Sequence, residues 1–247
     1  MIPTLKAEVR KLLTVRSTYV LTAVALAFVV FYAGYIEGWH LAGADLRNTG
    51  LFTSDVVGAL TSLPMVFGAI VAILLMTHEY RYNTIMYTLT ASNSRSKVLL
   101  SKLLVISGFA LLLTAMVGAL SPAMSYVGVH LHGHVLVAQN VDYHSLIWRA
   151  LFNGWAYVTA ALLLAVLIRN QIGAIVSLFA VPIAEQVLGL MLKDNAVYLP
   201  FSALNATLSK PLHGNISYQR AALVFAIYLA VGWVVAWVLF LKRDATT

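Results

Sequence analysis

Three histidines alternate along Val129-His130-Leu131-His132-Gly133-His134. On an extended strand that spacing turns all three imidazoles to one side, as a metal site requires. No carboxylate or cysteine falls within the cluster, so incidental metal affinity is the better reading. His130, His132 and His134 stay as weak candidates and no metal is assigned. His78-Glu79 begins like the His-Glu-x-x-His helix of zinc proteases, but Tyr82 stands where the second histidine must be. Ser94-Arg95-Ser96-Lys97 has the Ser-x-x-Lys spacing of an acyl-transfer nucleophile, without the partner motifs of that class. The chain holds no Gly-x-x-x-x-Gly-Lys-[Ser/Thr] loop to cradle a nucleotide. The absence of cysteine removes thiol catalysis, disulfides and thiolate metal sites. These residues do not describe an enzyme, and no cofactor is expected to bind this chain.

Two further polar features invite a role. Glu185 lies inside the apolar run 172–192, where a carboxylate is costly and marks a functional or bundle-interior position. No Lys or Arg stands at comparable depth elsewhere, so Glu185 is protonated, hydrogen-bonded or open to water. A structural carboxyl bonded to nearby Ser or Tyr hydroxyls and a place on a substrate path or helix interface both remain open. The second feature is the polar stretch from His78 to Lys97 between two apolar runs. Within it, Thr84 to Leu89 contains neither Gly nor Pro and suits a short helix. Ile85, Met86 and Leu89 would then share a face fit for docking on another protein.

The elements that position these residues follow from composition. Of 247 residues, 61% are hydrophobic and 10% charged, far below the roughly 25% charged of a soluble protein. A helix crossing a hydrocarbon core of about 30 Å needs about 20 apolar residues. Six runs qualify, near 17–37, 56–77, 98–127, 147–168, 172–192 and 219–241. The expected fold is an all-α membrane protein forming a single transmembrane domain over 1–247. Spans one and two fill 17–77, spans three to five 98–192 and span six 219–241, with a short tail at 242–247.

With the amino terminus inside, most of the sixteen basic residues fall on the inner side, among them Lys6, Arg10, Lys11, Arg81, Arg95, Lys102 and Lys242. This is the positive-inside bias. The net charge of +7 therefore reports topology, with both termini cytoplasmic, and not nucleic-acid binding. Along residues 3–16, Leu5, Val9, Leu12 and Leu13 recur at helical spacing opposite Lys6, Arg10 and Lys11. That pattern suits an interfacial helix over 1–16. Lys102, near the start of span three, is expected to snorkel to the inner headgroups. The outer segment 193–218 is too apolar in its first half for a free loop and is expected to dip back into the membrane.

The spacing Glu79-x-Arg81-x-x-Thr84, followed by Leu89, Arg95 and Lys102, resembles the cytoplasmic loop of ABC-2 type transporter permeases. Glu8 and Lys11 match the elbow helix that opens many of them, and Tyr198-Leu199-Pro200-Phe201 looks like their outer segment. The sequence departs from the pattern where a Gly is expected before the Thr, here Asn83, and where a Pro is expected, here Ser92. The resemblance implies that 78–97 carries a coupling helix. Glu79, Arg81, Thr84, Ile85, Met86, Leu89 and Arg95 would engage a separate ATP-binding cassette ATPase, which alone binds ATP and Mg. It further implies a homodimer or heterodimer of permeases in the cell membrane, exporting a drug-like, peptide or lipid substrate. Two other readings compete. One is an ion-coupled secondary transporter with inverted halves, suggested by the long loops at 78–97 and 193–218. The other is a membrane scaffold that transports nothing.

Overall fold

The computed structural model describes residues 2–41, 49–131, 142–209 and 214–242, and their side chains except in 37–41 and 49–63. These residues form helices, with no strand among them. A short amphipathic helix, α1 (Ile2–Thr14), is separated by Val15 alone from α2 (Arg16–Phe31), which runs into a π-helical segment, Tyr32–Leu41. Then come α3 (Thr49–Arg81), the short α4 (Ile85–Ser92) and α5 (Arg95–Leu131). The antiparallel pair α6 (Tyr143–Ile168) and α7 (Gln171–Leu192) follows. A 3-10 turn (Lys193–Tyr198), the six-residue α8 (Pro200–Asn205) and α9 (Tyr218–Lys242) complete the order.

Among the described residues five segments are long and apolar enough to cross a membrane: Arg16–Ile36, Arg95–Leu131, Tyr143–Ile168, Gln171–Tyr198 and Tyr218–Lys242. The expected second span, 56–77, falls within α3, whose first residues are described as backbone only.

The core is where α3, α5 and α6 meet. Met65, Ala69, Ala72, Ile73 and Met76 repeat at helical spacing on α3 and pack against Leu99, Ile106, Ala110, Leu113 and Val117 of α5. Val158, Ala161, Leu162 and Ala165 of α6 close the contact. Lipid tails are as apolar as these side chains, so close fit holds such helices together rather than water exclusion. Gly154 shows how close the fit is, because a Cβ there would collide with Thr114 of α5 and press on Met65 of α3. Around this trio lie α2, α7 and α9, each with long exposed apolar faces.

Chain reversals are settled by local chemistry. Arg169 takes a left-handed φ of 58° to end α6. The next residue, Asn170, accepts from Gly173 N at 2.9 Å to start α7. Two residues therefore suffice for the turn between α6 and α7. At the opposite end Asp142 caps α6 by accepting from Ser145 N.

Candidate functional site

Four charged side chains from three helices meet where α1, α3 and α5 converge. Lys102 has no exposed surface, and its ammonium donates to Glu8 Oε2 at 2.9 Å, Glu79 Oε1 at 2.8 Å and the Leu75 carbonyl at 3.4 Å. Lys11 donates to Glu8 Oε1 at 2.8 Å, Glu79 Oε1 at 2.5 Å and Thr88 Oγ1 at 3.4 Å. Each ammonium has spent its three donors. The cluster pairs two cations with two anions, which is the condition for burying charge at tolerable cost. Lys102 does not snorkel: the expected route to the headgroups is replaced by two buried carboxylates on helices that cover it.

Local sequence explains how the partners arrive. Glu8 is fully buried on the stripe Leu5, Glu8, Leu12 of α1, while Val9 and Leu13, expected on the apolar face, are exposed. Spacings of three and four residues place an acid in the middle of the buried face. Glu79 lies in the last turn of α3, one turn after Leu75. Its carboxyl would be raised by burial, but the charges and hydrogen bonds of Lys102 and Lys11 outweigh this and hold it below the ordinary 4.5. Burial likewise disfavours the Lys11 ammonium, but Glu79 and Glu8 raise it above 10.5. Both groups are therefore charged at neutral pH.

The short helix is fixed to this cluster. Thr84 N donates to the Glu79 carbonyl at 2.9 Å, and Thr88 receives the Lys11 ammonium. Asn83 and Asn93 bracket α4 with φ of 55° and 50°. Asn83 is the position where the resemblance leads one to expect Gly, and a left-handed residue explains both choices, since Asn tolerates it best after Gly. The helix spans Ile85–Ser92 rather than starting at Thr84. The expected docking face of Ile85, Met86 and Leu89 is divided. Ile85 is only 2% exposed and Leu89 is half-buried against the core, so this side of the helix is turned toward the bundle. Met86 faces outward with Tyr82, Tyr87 and Thr84.

Arg81 and Arg95 reach other helices of the bundle. Arg81 is exposed, 5.7 Å from the Tyr82 ring centroid and 3.5 Å from Gln171 Oε1 of α7, and does not pair with Glu79. Arg95 donates to the carbonyls of Phe240 at 3.4 Å and Leu241 at 3.2 Å, the last turn of α9. Helix carbonyls there lack intrahelical donors and carry the negative end of the dipole.

At the other end of the bundle Glu185 is 5% exposed and accepts from Phe201 N at 3.0 Å and Ser202 N at 2.8 Å. The Ser202 hydroxyl adds a bond at 3.2 Å. The carboxyl group thus holds the first turn of α8, chiefly through backbone amides and with one hydroxyl. Sequence reading missed Arg149, which is buried on α6 and donates to the carbonyls of Thr207 and Leu208 at 2.6 Å each, with its guanidinium 3.5 Å from the Tyr218 ring centroid. Asn153, one turn on, donates to the Leu204 carbonyl and to Thr207 Oγ1. Of the three candidate metal-binding histidines only His130 is among the described residues, stacked on Tyr126; His132 and His134 lie outside them.

A family model described as ABC-2 family transporter protein matches residues 4–184. That range holds the whole ion-pair cluster and both termini of α4. No curated protein matches the chain.

Proposed function

This chain belongs to the ABC-2 transporter family, and with its apolar helices it is an integral membrane protein, a transport subunit rather than an enzyme. From that premise we propose that it is the membrane-spanning permease of an ATP-driven exporter, powered by a separate ATP-binding cassette subunit. α3 supplies the sixth span, α1 is the elbow helix at the cytoplasmic interface, and α4 is the coupling helix. The segment from the 3-10 turn through α8 is re-entrant at the outer mouth. Both termini are cytoplasmic, and a second permease copy completes the complex in the cell membrane. The cargo class is a drug-like molecule, peptide or lipid.

The observation that carries this reading is the split character of α4. Its Ile85 and Leu89 side is seated on the bundle, while Tyr87 is 78% and Tyr82 63% exposed around Met86. Exposed large side chains at a polar end of a membrane bundle fit a protein partner. Displacement of α4 by the ATPase passes through Thr88, Lys11 and Glu79 into α1, α3 and α5 as one body. Charge-assisted bonds between different helices are stiff enough to carry such movement.

Tyr87→Glu tests this. The full chain, co-expressed with an ATPase subunit carrying a phosphate loop, should retain that subunit on purification, and Tyr87→Glu should release it while the permease stays folded. Unchanged retention and unchanged ATP-dependent export in Tyr87→Glu would overturn the assignment of α4.

A further inference from the structure

Between α1, the start of α2, the end of α3 and α4 lies a cavity of about 450 Å³, within the range of small-molecule sites. Leu12, Val15, Val71 and Leu74 give it apolar walls, and Tyr87 and Thr88 of α4 close one side. Its polar end is unusual. α2 starts behind Val15, a residue that cannot cap; no side chain accepts from its first amides, and Thr18 N donates to the Val15 carbonyl at 3.1 Å. The first N–H groups of a helix have no intrahelical partner and sit at the positive end of its dipole, which favours an anion. Ser17 and Thr18 of that first turn line the cavity. Thr18 is 9% exposed, and its hydroxyl has no partner among the described residues.

The charges facing the cavity permit an anion. Glu79 lines it; its Oε1 takes both Lys102 and Lys11, while its Oε2 is buried without a partner among the described residues. Lys11 is part of the wall. His78, also in the wall, is lowered by burial and by Arg81 and so contributes no positive charge there. Arg10, Arg16 and Arg81 are exposed at the same end of the bundle, whereas both acids of α1 and the α3 terminus are buried and paired.

We propose that this cavity binds one phospholipid of the adjoining leaflet. Its phosphate sits on the amides of α2 that precede Thr18 and on the Thr18 hydroxyl, and an acyl chain fills the space between Leu12, Val71 and Leu74. A net anionic headgroup is preferred because the flanking side chains are basic. The apolar walls distinguish a lipid from free phosphate. The site stands whether or not α4 meets an ATPase, because it rests on the α2 terminus and the cavity alone.

Native mass spectrometry of the full chain released from detergent tests it. Dioleoylphosphatidylglycerol should be retained one per chain and more strongly than dioleoylphosphatidylcholine. Millimolar inorganic phosphate should not displace it. Thr18→Val keeps the shape but removes the donor, and Leu74→Trp fills the cavity; each should weaken retention by about tenfold. Leu112→Trp, on the exposed face of α5, should leave it unchanged. A diazirine-tailed phosphatidylglycerol should label peptides from α2 and α3 around the cavity in the unmodified chain, so the proposal does not depend on either variant folding. Equal retention in all three variants, displacement by inorganic phosphate, or labelling spread over the lipid-facing helices would overturn it.

Discussion

The two ends of this bundle solve the same problem in opposite ways. At the α4 end, buried charges satisfy each other across α1, α3 and α5. At the α8 end, Glu185 and Arg149 find backbone amides and carbonyls of the segment that covers them. A side-chain pair between helices constrains how those helices move together. A charge spent on backbone groups fixes one local conformation and transmits little. The first arrangement suits a device that receives force, and the second suits a cover that must keep its shape.

Breaking the cluster should have the largest effect. Lys102→Met leaves two carboxylates buried with one ammonium between them, and removal of one partner from a buried pair costs about 3–5 kcal/mol. Thermal unfolding in detergent should show that loss. Replacing all four members with apolar residues of similar size should restore stability, because the desolvation cost disappears with the charges. Transport should stay impaired in that variant if the ions are needed to transmit movement.

At the other end Arg149→Met removes two short hydrogen bonds from a charged donor, an expected cost of about 2 kcal/mol. Hydrogen exchange should accelerate over residues 193–209 and leave α4 protected. If α4 loosened equally, the ends would not be independent and the contrast would fail.

Acid and alkali separate the ends further. Glu79 is held below its ordinary value when folded, so its stabilisation is complete above that value and is lost as pH falls through the depressed one. Lys11 is raised when folded, so its share is complete below 10.5 and is lost as pH rises beyond. Exchange protection of α1 and α4 should therefore be flat through neutral pH and fall at both extremes. The Lys11 share is the smaller because that side chain is 36% exposed. The smallest effect belongs to the C-terminal cap of α4: Asn93→Gly should be nearly neutral, while Asn93→Ala should cost about 1 kcal/mol because its φ of 50° is left-handed.

Much of the bundle was legible in the apolar runs, since a membrane forces helices of a set length. The short helix was legible too, because a run without Gly or Pro lies between two Asn residues. Its outward face was not, since which side of an eight-residue helix is buried depends on the partners beneath it. Glu8 left a trace: its spacing from Leu5 and Leu12 puts it on one stripe with them, and a count of apolar positions alone passes over it. Lys102 is 94 residues from Glu8 and 23 from Glu79, and no local pattern joins them. Arg149 was passed over because its partners are carbonyls, which every residue carries.

The length of α5 has a mechanical consequence. The helix continues for 37 residues from beside α4, about 55 Å at 1.5 Å per residue. Lys102 anchors it close to one tip, leaving roughly 44 Å beyond that fulcrum. A rocking of about 5° around the anchor sweeps the distant tip through nearly 4 Å, comparable with the shifts that open or shut passages in switching proteins. A nudge of about 1 Å on the short arm is thereby magnified several-fold at the far face.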